Sequence, residues 1–254
     1  TRRYAWLGTG NFNEKTALIY GDIGLFTASE PMARDVLTVF AHLRDPRKPL
    51  DTKYLMSAPT GLRSGLERLI DREIANALSG KEAAILLKLN SLEDRPLIRK
   101  LYDASRAGVR IRLIVRGICC LVPGIAGMSE NIEVISIVDR FLEHARAYKF
   151  NNDGKPLVYL ASADLMERNM DRRVEVAFPV LDPTLRAGVV DYLELQWSDT
   201  AKARTIDAAQ ENHYRNPKWN GRNALRSQMA LYELLAAGHK KPAGAVKRVR
   251  KKRP

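Results

Sequence analysis

No apolar run in this chain approaches the roughly 18 residues that a membrane-spanning helix needs, and no leader of charged then apolar residues opens it. Cysteine is almost missing. Cys119 and Cys120 are the only two and are adjacent, so a bridge between them would be strained and a disulfide framework is excluded. Together these absences predict a cytoplasmic protein. No methionine or helix cap precedes Arg2–Leu7, which already reads as a strand; a strand begun so early predicts a fragment or truncated gene product. Acidic residues are absent after His239.

What is present is a positive charge of +13 on 254 residues. Eight of the cations (Lys240, Lys241, Lys247, Arg248, Arg250, Lys251, Lys252, Arg253) lie in the last fifteen residues, leaving +5 for the body. A stretch of Lys and Arg with Pro, Gly, Ala and Val cannot bury enough apolar surface to order itself. Residues 239–254 are therefore expected to form a disordered basic tail able to contact a polyanion or an acidic membrane.

The body alternates strand and helix patterns. Ala17–Thr27 reads as extended and Pro31–Leu43 as a helix with Met32, Val36, Val39, Phe40 and Leu43 apolar. Asp45–Gly61 looks like a linker or a long connection. Leu62–Leu78 carries a helical stripe of Leu62, Leu66, Leu69, Ile70, Ile74 and Leu78. Strands follow at 83–89, 109–115, 132–137, 143–150, 157–161 and 172–180, with helices over 94–107, 185–197 and 223–237. Asn212–Asn220 is polar and irregular. Strand–helix–strand succession predicts parallel pairing and places Arg116 at a strand's carboxyl end, where ligands bind in such sheets.

In Glu143–Phe150 the alternation puts His144 and Arg146 on one face of a single strand. An imidazole can move a proton or accept a phosphoryl group, and a guanidinium holds phosphate oxygens in pairs. A weak repeat accompanies this pair. Setting Leu7–Asn11 (L-G-T-G-N) over Leu160–Asp164 (L-A-S-A-D) aligns Thr9 with Ser162, Asn11 with Asp164, Tyr20 with Arg173 and Asp22 with Glu175, a shift of 153. Small-residue turns of this kind expose backbone donors to anions.

Five blocks, G-T-G-N-F-N-E-K-T-A (from Gly8), I-V-R-G-I-C-C-L-V-P (from Ile114), S-E-N-I (from Ser129), S-I-V-D-R-F-L-E-H (from Ser136) and S-A-D-L-M-E-R-N-M-D-R-R-V-E-V (from Ser162), resemble the C-terminal half of bacterial polyphosphate kinase. The resemblance runs from about Arg2 to Leu235. It implies an α/β architecture of two phospholipase D-like domains, the first only partly present, with a mixed sheet flanked by helices and a helical C-terminus. The implied divisions are residues 1–55, 56–238 and the tail, 239–254.

The implied activity is reversible transfer of the terminal phosphate of ATP to polyphosphate through a phosphohistidine, with magnesium. Carried over by position, Tyr20 resembles the nucleotide-contacting tyrosine and Arg116 an arginine on the ATP phosphates. His144 matches the second histidine of the site, the catalytic one in this chain, and Asp22 and Arg173 fall on further site-lining positions. ATP or ADP and polyphosphate are the implied partners, with homo-oligomer formation and peripheral inner-membrane contact as further expectations. Two departures stand out. The family's phosphohistidine, in a His-x-Lys strand, and its magnesium-binding arginines lie upstream of Arg2, and Trp6 stands where histidine is usual. The expectation is a C-terminal catalytic region that makes no polyphosphate by itself. The alternative is a catalytically inactive, basic module binding polyphosphate or nucleic acid through the tail and Arg116, Arg146, Arg172 and Arg173. A phospholipase D-like hydrolase is disfavoured by the absence of His-x-Lys.

Overall fold

The structure is a computed structural model and describes residues 2–216 and 224–237. In chain order the elements are β1 (Ala5–Gly8), α1 (Glu14–Ala17), β2 (Tyr20–Gly21), β3 (Gly24–Thr27), α2 (Glu30–Arg44), β4 (Met56–Ala58), α3 (Leu62–Leu78), β5 (Ala84–Leu89), α4 (Arg95–Arg106) and β6 (Arg110–Val115). There follow β7 (Ile132–Ile137), β8 (Leu142–Glu143), β9 (Arg146–Phe150), β10 (Leu157–Ala161), α5 (Glu167–Asp171), β11 (Glu175–Pro179), α6 (Pro183–Trp197), β12 (Ala203–Ile206) and α7 (Ser227–Ala236). The basic tail and residues 217–220 of the irregular stretch lie outside the described residues, as does the Asn223 end of the expected last helix.

An eight-stranded mixed sheet, ordered β12-β7-β6-β5-β9-β10-β11-β4, forms the body. Its centre is parallel, β5 on β6 and β6 on β7, as the strand–helix–strand pattern predicts; the remaining pairs are antiparallel. The A-I-L-L-K-L of β5 is almost uniformly apolar because both of its faces are covered. On one face Ile85, Leu87 and Leu89 pack with Leu62, Leu66, Leu69 and Ile70 of α3 and Leu97 and Leu101 of α4. Burying each such side chain stabilises by about 1.5–3 kcal/mol. On the other face Leu86, Ile114 and Ile135 meet Leu193 and Trp197 of α6 and Met32 of α2. Leu78, read as part of the α3 stripe, is exposed, and so are Phe40 and Leu43 of α2.

Three local readings are corrected. Asp45–Gly61 is not a plain linker: Leu50 and Leu55 are buried, and the segment contributes edge strand β4. Its path is set by Asp35, whose Oδ2 accepts from the amides of Lys53, Tyr54 and Leu55 at 3.0, 2.6 and 2.9 Å. Ala17–Thr27 is not continuously extended, since Asn13 caps the one-turn helix α1 by accepting from Lys15 and Thr16. The expected strand 172–180 begins only at Glu175, because Glu167–Asp171 forms α5.

The expected strand 143–150 is broken at the residue that matters most. Glu143 pairs with Gly21 of β2, whereas Arg146 pairs with Ala161 in the large sheet. The chain changes partner between them, and the amides of His144 and Ala145 both donate to the Gly21 carbonyl, at 3.2 and 2.9 Å. His144 thus sits in a gap between two strands.

Candidate active site

The parallel strands end together, so Asn90 after β5 and Arg116 after β6 emerge beside Arg146 at the start of β9 and Ser162–Asp164 after β10. The short β2–β8 pairing brings Tyr20 and Asp22 of the first repeat unit onto the same edge. Between them lies an open pocket of about 320 Å³ lined by Thr9, Asn11, Tyr20, Arg116, His144 and Arg173, among others.

The two repeat units are built alike. The Thr9 amide donates to the Ile23 carbonyl at 3.0 Å and the Ser162 amide to the Val176 carbonyl at 3.0 Å, positions related by the shift of 153. The Ile23 amide donates to Thr9 Oγ1 at 3.0 Å, and the Val176 amide to Ser162 Oγ at 3.1 Å. Each hydroxyl then donates to its acid, Thr9 to Asp22 at 2.7 Å and Ser162 to Glu175. The repeat seen in the sequence is a repeat of hydrogen bonds.

His144 Nδ1 lies 2.9 Å from Asp22 Oδ2 and 3.0 Å from Oδ1. Arg146 Nη1 lies 3.0 Å from His144 Nε2 and 3.2 Å from Nδ1, against the ring as a whole. A carboxylate only accepts, so Nδ1–H donates to Asp22. The basic nitrogen is therefore Nε2. Tyr20 packs on the imidazole, ring centres 4.6 Å apart. Burial opposes ionisation of Asp22, but the His144 and Thr9 hydrogen bonds and the charge of Arg146 together outweigh it and hold the carboxyl below its ordinary range.

The arginines fall into two kinds. Arg146 is buried and committed, donating to Asp164 at 2.7 and 3.2 Å and to the Thr9 carbonyl at 3.1 Å. That pairing keeps the Asp164 carboxyl low against the burial that would raise it. Among the described residues Arg116 is held only through Nε, by Asn90 Oδ1 at 2.9 Å, which leaves its outer nitrogens for a ligand. Arg173 is half-exposed, its nearest acid being Glu175 at 4.0 Å. Arg168, on α5, lines the pocket from the same side.

Tyr20, Arg116, His144 and Arg173 thus line one pocket, with Asp22 directly behind the imidazole. Sequence reasoning missed Asn90, Arg168 and Asn169; the last donates to Glu175 Oε1 at 2.7 Å. Arg172 does not line the pocket. Trp6, which stands where histidine is usual, packs against Phe12 and Phe26, with ring centres 4.1 and 6.0 Å away.

The Polyphosphate kinase C-terminal domain 2 family profile matches residues 55–228, and the Polyphosphate kinase C-terminal domain 1 profile matches residues 1–49. The chain belongs to the polyphosphate kinase family. It is 51% identical over 233 residues to "Polyphosphate kinase" of Vibrio vulnificus (strain YJ016), covering 92% of this chain and 33% of the relative. The protein of the same name in Escherichia coli (strain K12) is 49% identical over 233 residues, with 92% and 34% covered. A crystal structure of polyphosphate kinase from Porphyromonas gingivalis superposes with a TM-score of 0.87 at 44% identity, covering 93% of this chain and 36% of that one. The chain thus spans about a third of the length of these polyphosphate kinases.

No helix among the described residues is long and apolar enough to cross a membrane. Magnesium, which the family resemblance implies, finds no fitting donor set in this part of the polyphosphate kinase fold. No three carboxylates, histidines or cysteines converge among the described residues, and Asp22, Asp164 and Glu175 are each bonded to protein donors.

Proposed function

We propose that this chain is the C-terminal catalytic region of a polyphosphate kinase, in which the terminal phosphate of ATP passes reversibly to polyphosphate through a phosphohistidine upstream of these 254 residues. The observation that carries this reading is the meeting of His144 with Asp22 of the first repeat unit, at 2.9 Å, in a pocket whose arginine nitrogens are left for an anion. Arg116, Arg168 and Arg173 hold phosphate oxygens and offset charge as a phosphoryl group moves. Tyr20 contacts the nucleotide.

His144 holds or moves the proton at the leaving or attacking phosphate oxygen through Nε2, while Asp22 stabilises the imidazolium that forms. The repeat supports a matching role for Glu175. It corresponds to Asp22, lines the pocket, and is steadied by Ser162 and Asn169, as an acceptor for a histidine of the other unit would be. A cytoplasmic location, assembly with further copies and polyanion contact through the tail belong to the same proposal.

Titration calorimetry with ATP and inorganic triphosphate tests it. Both ligands are expected to compete for one site that Arg116→Ala and His144→Ala weaken. The alternative of a basic, inactive module, which would use Arg116 as well, predicts binding that follows salt and chain length alone and survives His144→Ala.

A further inference from the structure

Strand β8 delivers His144, and among the described residues only one of its edges is paired with another strand, β2. The other edge is met by a side chain. Gln228, in the first turn of α7, accepts from the Phe141 amide through Oε1 at 3.0 Å and donates to the Phe141 carbonyl through Nε2 at 2.7 Å. The primary amide thereby does for Phe141 what the peptide of a neighbouring strand would do. Its second N–H donates to Glu143 Oε1 at 2.7 Å, and Glu143 is the residue immediately before His144.

Glu143 is itself fixed from below. Lys88 Nζ lies 3.0 Å from its Oε2, and Tyr192 donates to it at 3.5 Å. Helix α7 is held independently of Gln228. Arg226 grips the Asp139 carboxylate through Nη2 and Nε at 2.6 and 2.8 Å, and the Ser227 amide donates to the buried Asp199 at 2.7 Å.

We infer that Gln228 is a positioning residue for His144: α7 clasps the segment 139–143 and sets where the imidazole stands against Asp22 and Arg146. The receiving contact, 2.9 Å to Asp22, is near the optimum for a hydrogen bond, which weakens steeply with a few tenths of an ångström or a poor angle. Slack in Phe141–Glu143 therefore disconnects the imidazole before it unfolds anything. The inference rests on the reading of His144 as the proton-handling group. Its test, however, reads the hydrogen bond itself and needs neither ATP binding nor transfer.

The experiment is side-chain proton–nitrogen NMR on the chain with labelled histidine. His144 is assigned among the four histidines by its loss in His144→Gln. Wild type should show a protected Nδ1–H proton from the bond to Asp22. Gln228→Met, similar in length but without the amide, should speed exchange of that proton at least tenfold while amide protection in β5 and β6 persists. Tyr232→Ala, on the exposed face of the same helix, should leave the proton unchanged. An unaltered His144 signal in Gln228→Met overturns the inference, as does an equal effect of Tyr232→Ala. If Gln228→Met does not fold, Arg226→Lys loosens the two-point grip on Asp139; faster exchange there supports the clasp and no change refutes it.

Discussion

The imidazole of His144 and the carboxylate of Asp22 stand 2.9 Å apart across 122 positions of sequence. This bond joins the first repeat unit to the segment that leads into β9, and it makes the protonation of Asp22 a matter of stability as well as chemistry. The Asp22 carboxyl is held below its ordinary value of 3.8. A carboxyl with a depressed folded pKa stabilises the fold above the unfolded value, and the gain is lost as pH falls through the folded one. Asp22→Asn is therefore expected to cost about 1.5–3 kcal/mol near pH 7, the scale of one hydrogen bond to a charged group. The cost should shrink below pH 3.8 as the wild-type carboxylate is protonated. Denaturant unfolding of both proteins across this range checks it.

The lining of the pocket separates arginines that sit four residues apart. Arg168→Ala should weaken inorganic triphosphate binding about tenfold, the loss expected for one charge-assisted hydrogen bond. Arg172→Ala should stay within about twofold, since Arg172 does not face the ligand and an exposed charge acts only through screened long-range attraction. Titration calorimetry at two salt concentrations distinguishes the local loss from the general one.

Beneath the site, Lys88 and Glu143 form an ion pair that is almost wholly out of solvent. Burial pushes the Lys88 ammonium below its ordinary pKa, while Glu143 pulls the other way. Lys88→Met leaves Glu143 buried without its cation and should cost about 3–5 kcal/mol in urea unfolding. Adding Glu143→Gln should recover most of that loss, because an amide can still meet Gln228 without a buried charge.

Much of this architecture was readable along the chain where the signal is local. The uniform apolar run of β5 and the stripe of α3 mark the centre of the core, and the Thr9–Ser162 correspondence marks two like turns. Tyr20, Asp22, Arg116, His144 and Arg173 were carried over by resemblance, and the structure gathers them on one edge. Where pairing partners change, the pattern gave no warning. The alternation of Glu143–Phe150 runs on unbroken, yet the backbone leaves β2 and joins the large sheet at His144. Asn90 and Gln228 were invisible for a related reason, since their roles come from groups 26 and 87 positions away. Arg168 was hidden because α5 is too short to leave a helical period in the sequence.

The most direct measurement of the central claim is incubation of this chain with ATP carrying a labelled terminal phosphate, in the presence of magnesium, followed by assays for acid-labile phosphoprotein and polyphosphate. If His144 assists a histidine that lies upstream, ATP binds but no label stays on the protein and no polyphosphate forms. Label retained on wild type and lost in His144→Ala would contradict the account and make His144 the nucleophile.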